Sequence, residues 1–250
     1  MKLGAQFYTI RDKAKTPEGI RASLLKMKEI GYTVAQMSGI GPIEAELLRD
    51  YAEEAGLPIT CTHSSFDRIV NDTDALIKEH IIYNCPVIGI GAMPLEYRTD
   101  LNTAREFIKT VSEPIKRIRA AGLSFAYHNH AFEFDPHEGG TIMDYLVNEV
   151  PELDFILDTY WVVYGGHDPL EYIRRIGVER MTNVHLKDMK TAPKGDICPC
   201  GEGIMDFAPI VALCDELGIP NALVEQDNAP DLGDSWEQMA MSYNSLKHLF

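Results

Sequence analysis

Short apolar runs alternate with amphipathic helical patterns along the whole chain. In the first helical segment, apolar residues recur every three or four positions, at Ile20, Leu24, Met27 and Ile30, which is the period of one helix face. Between such segments the apolar runs are only four to six residues long, which is typical of buried strands. Eight predicted strands result, at 3–8, 33–37, 59–63, 87–91, 124–128, 155–158, 181–186 and 222–225.

A glycine stands between helix and strand in four of these units. Gly31, Gly56, Gly122 and Gly218 each follow an amphipathic segment and precede an apolar run. Glycine accepts the left-handed conformation that ends many helices, so the repeated pattern has a mechanical cause. Eight units in 250 residues average about 31 residues each, close to the length of one strand–helix–strand unit.

This alternation predicts a parallel sheet covered by helices, either as a closed barrel or as an open doubly wound sheet. The first strand leads into Arg11 and Asp12 without the glycine-rich turn of dinucleotide-binding folds, which weakens the open-sheet alternative. We therefore predict an α/β fold in which residues 1–250 form a single (β/α)8 TIM barrel domain. The longest helical segment, 101–121, contains Pro114, which we expect to kink it or split it.

The composition limits which kinds of partner and which cellular compartment we expect. The chain has 23 Lys and Arg against 38 Asp and Glu, a net charge of −15, with 45% hydrophobic residues. This is a globular composition, and the acid excess disfavours nucleic acid and anionic membranes as partners. No apolar run approaches the roughly 20 residues that span a bilayer. The N-terminus lacks the features of a signal peptide, and the five cysteines are an odd number, so we expect reduced thiols and a cytoplasmic location.

Polar side chains gather where the predicted strands end, which is the face that carries the active site in a TIM barrel. Any single one of them could simply mark the point at which a strand meets water. Five strand ends that all supply an acid or an imidazole are harder to explain in that way. Converging carboxylates and imidazoles suit one divalent cation, and spacing alone does not choose among Mn²⁺, Mg²⁺, Co²⁺ and Zn²⁺. The candidate residues are His63, His128, His130, Glu133, Asp158, His185, Lys187 and Glu225.

Several short motifs, in this order and at these strand ends, resemble a known family. They are Gly4-Ala5-Gln6-Phe7-Tyr8, Tyr127-His128-Asn129-His130, Phe132-Glu133-Phe134, Leu157-Asp158-Thr159, His185-Leu186-Lys187-Asp188, Gly201-Glu202-Gly203 and Val224-Glu225. The chain resembles, over essentially its whole length, the xylose-isomerase-like barrel superfamily of sugar phosphate isomerases and epimerases. That superfamily also includes tagatose epimerases, inosose dehydratases and apurinic endonucleases.

The resemblance implies one metal ion held by Glu, Asp, His and Glu from strands five to eight. Asp158, His185 and Glu225 match the last three places. The first place departs from the common pattern, because His128 stands where many members have glutamate. Either His128 is the ligand, or Glu133 reaches back from the following loop. We favour Glu133, which would restore the usual charge and would leave His128 free for proton transfer.

The implied activity is that of a divalent-metal-dependent isomerase or epimerase on a sugar or keto-sugar. The metal acts as a Lewis acid, a general base removes a proton next to the carbonyl, and the resulting enediolate is stabilised. Candidate bases are His128, His130, Glu133 and Glu225. Loss of a hydroxyl from the same intermediate would make the enzyme a lyase or dehydratase, which is the alternative.

Three further side chains are predicted to contact the substrate. Lys187 could neutralise an oxyanion, His63 could bind a sugar hydroxyl, and Trp161 could stack on a sugar ring or equally pack against a neighbouring loop. Phosphate sites are frequent near strands seven and eight of these barrels, but the acidic residues Asp196 and Glu202 disfavour a phosphorylated substrate.

Two other functions are weaker. An apurinic-type endonuclease should present a basic face to DNA, which a net charge of −15 opposes. A non-catalytic sugar-binding barrel has no need for five polar strand ends. We expect a small-molecule sugar as the partner, and a homo-oligomer is compatible with the chain because related barrels often pair.

Overall fold

The computed structural model describes residues 1–192 and 194–250, and its main feature is a closed eight-stranded parallel barrel. This confirms the predicted TIM barrel. The barrel strands are β1 (Lys2–Gln6), β2 (Val34–Met37), β3 (Ile59–Ser64), β4 (Val87–Ile90), β5 (Ser124–His128), β6 (Asp154–Asp158), β7 (Met181–Leu186) and β8 (Asn221–Val224). Each strand pairs with its neighbours in chain order, and β8 pairs with β1 to close the ring.

Ten helices of the described residues connect and cover the strands. They are α1 (Pro17–Ile30), α2 (Ala45–Ala55), α3 (Phe66–Asn71), α4 (Thr73–Ile82), α5 (Leu101–Ala120), α6 (Ile142–Glu149), α7 (Thr159–Tyr164), α8 (Pro169–Ile176), α9 (Phe207–Leu217) and α10 (Ser235–Leu246). Pro114 lies inside α5 without splitting it into two helices. None of these helices combines the length and apolarity that crossing a membrane requires.

Local sequence explains where the helices begin and end. Thr16 accepts a hydrogen bond from the backbone N–H of Gly19, and Pro17 occupies the first turn of α1. At the other end of the same helix Gly31 adopts a φ of 126°, a conformation that side chains with a Cβ avoid. The helix–glycine–strand pattern is thus a series of capped helices that return the chain to the barrel.

Two apolar layers hold the barrel together. The larger one lies between strands and helices, while a separate small cluster has one residue on each of six strands and fills the inside of the barrel. Gly4 of β1 is required there, because a Cβ at this position would lie 2.5 Å from Leu223 and 2.6 Å from Val34. The inner cluster is Val34, Cys61, Val87, Ala126, Ile156 and Leu223. Since Ile156 is in it, period-two alternation directs Asp158 of the same strand toward the barrel axis.

Candidate metal centre and active site

Four side chains from consecutive strands converge above the inner apolar cluster. His128 and Asp158 end β5 and β6, His185 lies one residue before the end of β7, and Glu225 directly follows β8. All four are buried, and one ligand atom from each lies within 4.8 Å of the others. The closed ring of parallel strands brings these residues together although they span almost 100 positions of sequence.

The outer nitrogen of each histidine has an acceptor that fixes the ring. Nδ1 of His128 lies 2.8 Å from the carbonyl oxygen of Gly91, and Nε2 of His185 lies 2.7 Å from Oε1 of Gln36. A carbonyl oxygen only accepts, so each of these nitrogens carries the hydrogen. In the neutral ring the other nitrogen is then a lone pair directed at the common centre.

In each of the two carboxylates, one oxygen accepts a hydrogen bond from outside the cluster and the other faces a histidine. Oδ1 of Asp158 accepts from the backbone N–H of Tyr160 at 3.0 Å, and Oε1 of Glu225 accepts from Nε2 of Gln6 at 2.7 Å. Their second oxygens face the histidine lone pairs, at 3.3 Å from Nε2 of His128 to Asp158 and 2.9 Å from Nδ1 of His185 to Glu225. When both imidazoles are neutral, all four of these atoms are lone-pair donors of the kind that ligate a metal ion. The donor set therefore fits a metal ion.

Lys187 supplies a positive charge at the edge of this set. Its buried ammonium lies 3.0 Å from Asp158, 3.1 Å from Glu225 and 3.2 Å from Asp227. Burial opposes the charge, but the three carboxylates outweigh burial and hold the pKa of Lys187 well above its ordinary value. Three carboxylates and one ammonium leave a net charge of −2 when both imidazoles are neutral. One divalent cation balances that charge.

The electrostatics of the cluster also favour positive charge at its centre. Burial raises the pKa of Asp158 and Glu225, but the neighbouring lysine and imidazoles outweigh it and lower both. Burial alone would lower the pKa of His128, but hydrogen bonds to these two carboxylates raise it to about 10. The two acids are thus ionised at neutral pH, in the form that binds a cation.

The structure does not bring Glu133, our favoured first ligand, into this set. Its side chain turns away, with Oε1 accepting from the hydroxyl of Tyr127 at 2.6 Å and Oε2 accepting from the backbone N–H of His130 at 2.8 Å. Burial raises the pKa of Glu133 to about 7. Both oxygens have these partners, and the fourth atom of the cluster belongs to His128, the alternative first ligand.

A cavity of about 540 Å³ adjoins this cluster, and His128 and Glu225 of the four residues line it. Predicted site residues that line it are His63, His128, His130, Lys187 and Glu225. The structure adds to these a residue that the sequence analysis did not single out, Asp227, together with Tyr8 from the loop after β1.

Two other histidines of this cavity pack against His128. The ring centroids of His63 and His130 each lie 4.9 Å from that of His128. Burial lowers the pKa of His130 to about 3 and that of His63 well below its ordinary value, so both rings are neutral at pH 7. Nε2 of His63 and Nδ1 of His130 have no hydrogen-bond partner among the described residues. Each ring therefore has one nitrogen left to hydrogen bond to a bound molecule.

Trp161 is not among the residues that line the cavity. Its ring packs against His130, with centroids 5.3 Å apart, and lies 5.3 Å from the ammonium of Lys187. This matches the packing alternative for Trp161: it supports two polar side chains of the site from behind.

The glycines after β7 hold the loop and are not available to bind phosphate. The carboxylate of Asp188 accepts hydrogen bonds from the backbone N–H groups of Gly201 at 2.8 Å, Gly203 at 3.0 Å and Met205 at 3.0 Å. An acidic side chain thus accepts hydrogen bonds from the amides that would otherwise be free to bind an anion.

Sequence reasoning missed the outer partners Gln6 and Gln36. Both are fully buried polar residues in otherwise apolar strands. An amide inside an apolar strand was the available signal, since a buried polar group needs a partner.

Comparison with known proteins places the chain in a family. The family model described as xylose isomerase-like TIM barrel matches residues 24–241. The chain belongs to this family. Its sequence is 27% identical over 149 residues to an inosose dehydratase of Geobacillus kaustophilus, covering 49% of this chain and 46% of that relative. An inosose dehydratase of Clostridium perfringens is 26% identical over 162 residues, covering 56% and 54%.

The chain thus spans about half the length of the curated relatives it matches, and solved structures extend the likeness of fold to the whole chain. A sugar phosphate isomerase/epimerase from Parabacteroides distasonis has a TM-score of 0.80 at 23% identity, covering 99% of this chain and 98% of that one. D-psicose 3-epimerase from Clostridium cellulolyticum has a TM-score of 0.71 at 13% identity, covering 100% and 98%. At these identities the structural likeness establishes the fold.

Proposed function

We propose that this protein is a divalent-metal-dependent isomerase or epimerase of a keto-sugar. One observation carries the proposal. Four acceptor atoms, on His128, Asp158, His185 and Glu225, face one point at the floor of a cavity whose walls carry neutral imidazoles and a lysine ammonium. A cation beside neutral proton acceptors is the arrangement that proton abstraction next to a carbonyl requires.

Two imidazole nitrogens and two carboxylate oxygens would hold the ion. Imidazole suits zinc and other transition metals, whereas magnesium takes mainly oxygen ligands. This donor set therefore supports Mn²⁺, Co²⁺ or Zn²⁺ over Mg²⁺. When bound, the ion supplies a Lewis acid for the carbonyl oxygen of the substrate.

The protein's own groups would move the proton. His63 and His130 both line the cavity and pack against His128, so they are the candidates to remove a proton from the carbon next to the carbonyl and to return one. Removal at one face and return at the other inverts the carbon, which is epimerisation, while return at the neighbouring carbon gives isomerisation. The ammonium of Lys187 lies beside the same cavity and would stabilise the developing oxyanion.

Dehydration is a second candidate because the curated relatives are inosose dehydratases. Elimination of water needs an acid to protonate the departing hydroxyl as well as a base. Lys187, whose ammonium lies beside the cavity, would be that acid. The two reactions share the proton abstraction and differ only in the next step.

Proton exchange tests the proposal. The Mn²⁺-reconstituted protein is incubated in D₂O with D-ketohexoses and with a keto-inositol, and products are followed by NMR. Deuterium uptake next to the carbonyl without loss of water supports the isomerase or epimerase, and uptake with formation of an unsaturated ketone supports the dehydratase. No exchange with any of these substrates counts against both.

Metal analysis separates the enzyme from a non-catalytic sugar-binding barrel. We expect about one equivalent of metal per chain, loss of that metal in His128→Ala and Asp158→Asn, and its retention in Glu133→Gln. Substoichiometric metal after reconstitution, or retention in the first two variants, would refute the proposed centre.

A further inference from the structure

A second cavity of about 270 Å³ adjoins the one above the ligand atoms. The two cavities share their boundary, which comes from the loops after β2 and β3 and consists of Ser38, Gly39, His63, Ser64 and Ser65. A molecule held over the four ligand atoms can therefore extend past His63 into the second cavity, here called the outer cavity.

One wall of the outer cavity is apolar. It is built by the loop after β2, by α2 and by α4, through Met37, Ile40, Ile43, Leu48 and Leu76. Ile40 and Ile43 are only half-buried although they pack against the main apolar core. Apolar contact made by a ligand would remove the remaining exposed surface of these side chains from water.

Other residues of the same lining carry hydroxyl groups. The hydroxyl of Thr62 lies 2.9 Å from Nε2 of His80 and 3.3 Å from the hydroxyl of Ser64, and Tyr83 hydrogen bonds to the same imidazole. Ser64 lies on the boundary of the two cavities, so a bound group can join the end of this chain of hydrogen bonds. A lining that combines apolar side chains with hydroxyl groups suits a ring with an apolar face and polar substituents at its edge.

The outer cavity has no free positive charge for a phosphate among the residues that the structure describes. Its one arginine there, Arg68, directs two guanidinium nitrogens at the carboxylate of Glu79, at 2.9 and 2.8 Å, and contacts Asp72 at 3.1 Å. Two carboxylates thus neutralise a single guanidinium. A phosphate therefore has no cationic partner among the described residues there, which favours a group without one.

We infer that the substrate is a keto-sugar that carries a second, uncharged hydroxylated ring, and that this ring occupies the outer cavity. The inference rests on the proposed function for the part of the substrate above the metal ligands. The second ring is either another sugar or a phenol, since both have an apolar face and hydroxyl groups at the edge.

Binding measurements test this without catalysis. Titration calorimetry on the Mn²⁺-loaded protein compares methyl β-D-glucopyranoside, which lacks the second ring, with cellobiose and with 4-hydroxyphenyl β-D-glucopyranoside. We expect one of the two extended probes to bind about tenfold or more tightly than the methyl glycoside, because burying one ring-sized apolar surface contributes on that order. The tighter of the two identifies the kind of ring.

Filling the outer cavity supplies the control. Ala45→Leu and Ile43→Trp place bulk there from two different elements, α2 and the loop before it, without touching the residues above the metal ligands. Both variants should lose the preference for the extended probe and keep the affinity for the methyl glycoside within about twofold. Glu46→Leu, an exposed position on the same helix that does not line the outer cavity, should behave as wild type.

Equal affinities for all three probes, no binding of either extended probe, or an undiminished preference in both filled variants would overturn the inference. Failure of the proposed function has a different signature, the absence of deuterium exchange. A preference for an extended probe that the filled variants abolish would stand even then.

Discussion

Replacing Glu133 by glutamine isolates the role of a buried acid that sequence alone suggested as a metal ligand. The carboxyl group is fully buried, with Tyr127 and the backbone of His130 as its hydrogen-bond partners. An amide keeps the shape, can accept from the His130 N–H and can donate to the Tyr127 oxygen. The variant therefore removes the ionisable group and little else.

The size of the effect depends on the pKa of Glu133. Burial raises it from its ordinary value of 4.5 to about 7. Folding favours the protonated form, so this stabilisation is complete below pH 4.5, is lost as the pH rises toward 7, and stays lost above pH 7. The difference corresponds to about 3 kcal/mol of unfolding free energy. Glutamine has no such dependence, so the variant should gain about 2 to 3 kcal/mol on wild type when the pH is raised from about 5 to about 8.

Chemical denaturation of metal-free wild type and variant at these two pH values measures this gain, and calorimetry with Mn²⁺ at neutral pH measures the metal. We expect the dissociation constant for Mn²⁺ to stay within about threefold of wild type, since no ligand atom changes. A stability difference between the two proteins that is the same at both pH values would refute the burial argument. Loss of Mn²⁺ binding would instead make Glu133 a ligand.

Two other substitutions test how the site is supported. In Gln36→Leu, His185 loses the acceptor for its Nε2–H, and we expect Mn²⁺ affinity to fall about 10- to 100-fold. Cys61→Ala, which removes the other contact of the Gln36 oxygen, is the matched control; equal losses in both variants would contradict the positioning role. In Asp188→Ala, the amides of Gly201 and Gly203 lose their acceptor, so their hydrogen exchange, followed by mass spectrometry, should accelerate at least about tenfold. Unchanged protection would show that the loop is held by other contacts.

The sequence alone determined the architecture and most of the centre. The helical period, the glycines that end helices and the apolar runs of the strands are local properties of the sequence. The order of the eight strand–helix units can therefore be predicted without any long-range contact. In a parallel barrel all strand ends lie on one face, which is why Asp158, His185 and Glu225 could be assigned to a common site before their distances were known. Of the two expected effects of Pro114, splitting is wrong, because α5 runs as one helix from Leu101 to Ala120.

Only the tertiary structure shows which side chain joins Asp158, His185 and Glu225 in the buried cluster. His128 and Glu133 are five positions apart, and either could reach the centre as far as spacing shows. The difference lies in their hydrogen-bond partners. Gly91 orients His128 from 37 positions away, and Gln36 orients His185 from 149 positions away. The hydroxyl of Tyr127 holds the carboxylate of Glu133 away from the cluster. Such contacts depend on how distant strands pack together, and no local sequence pattern encodes that packing. The outer cavity has the same origin, since it exists only where α2 and α4 pack beside two barrel loops.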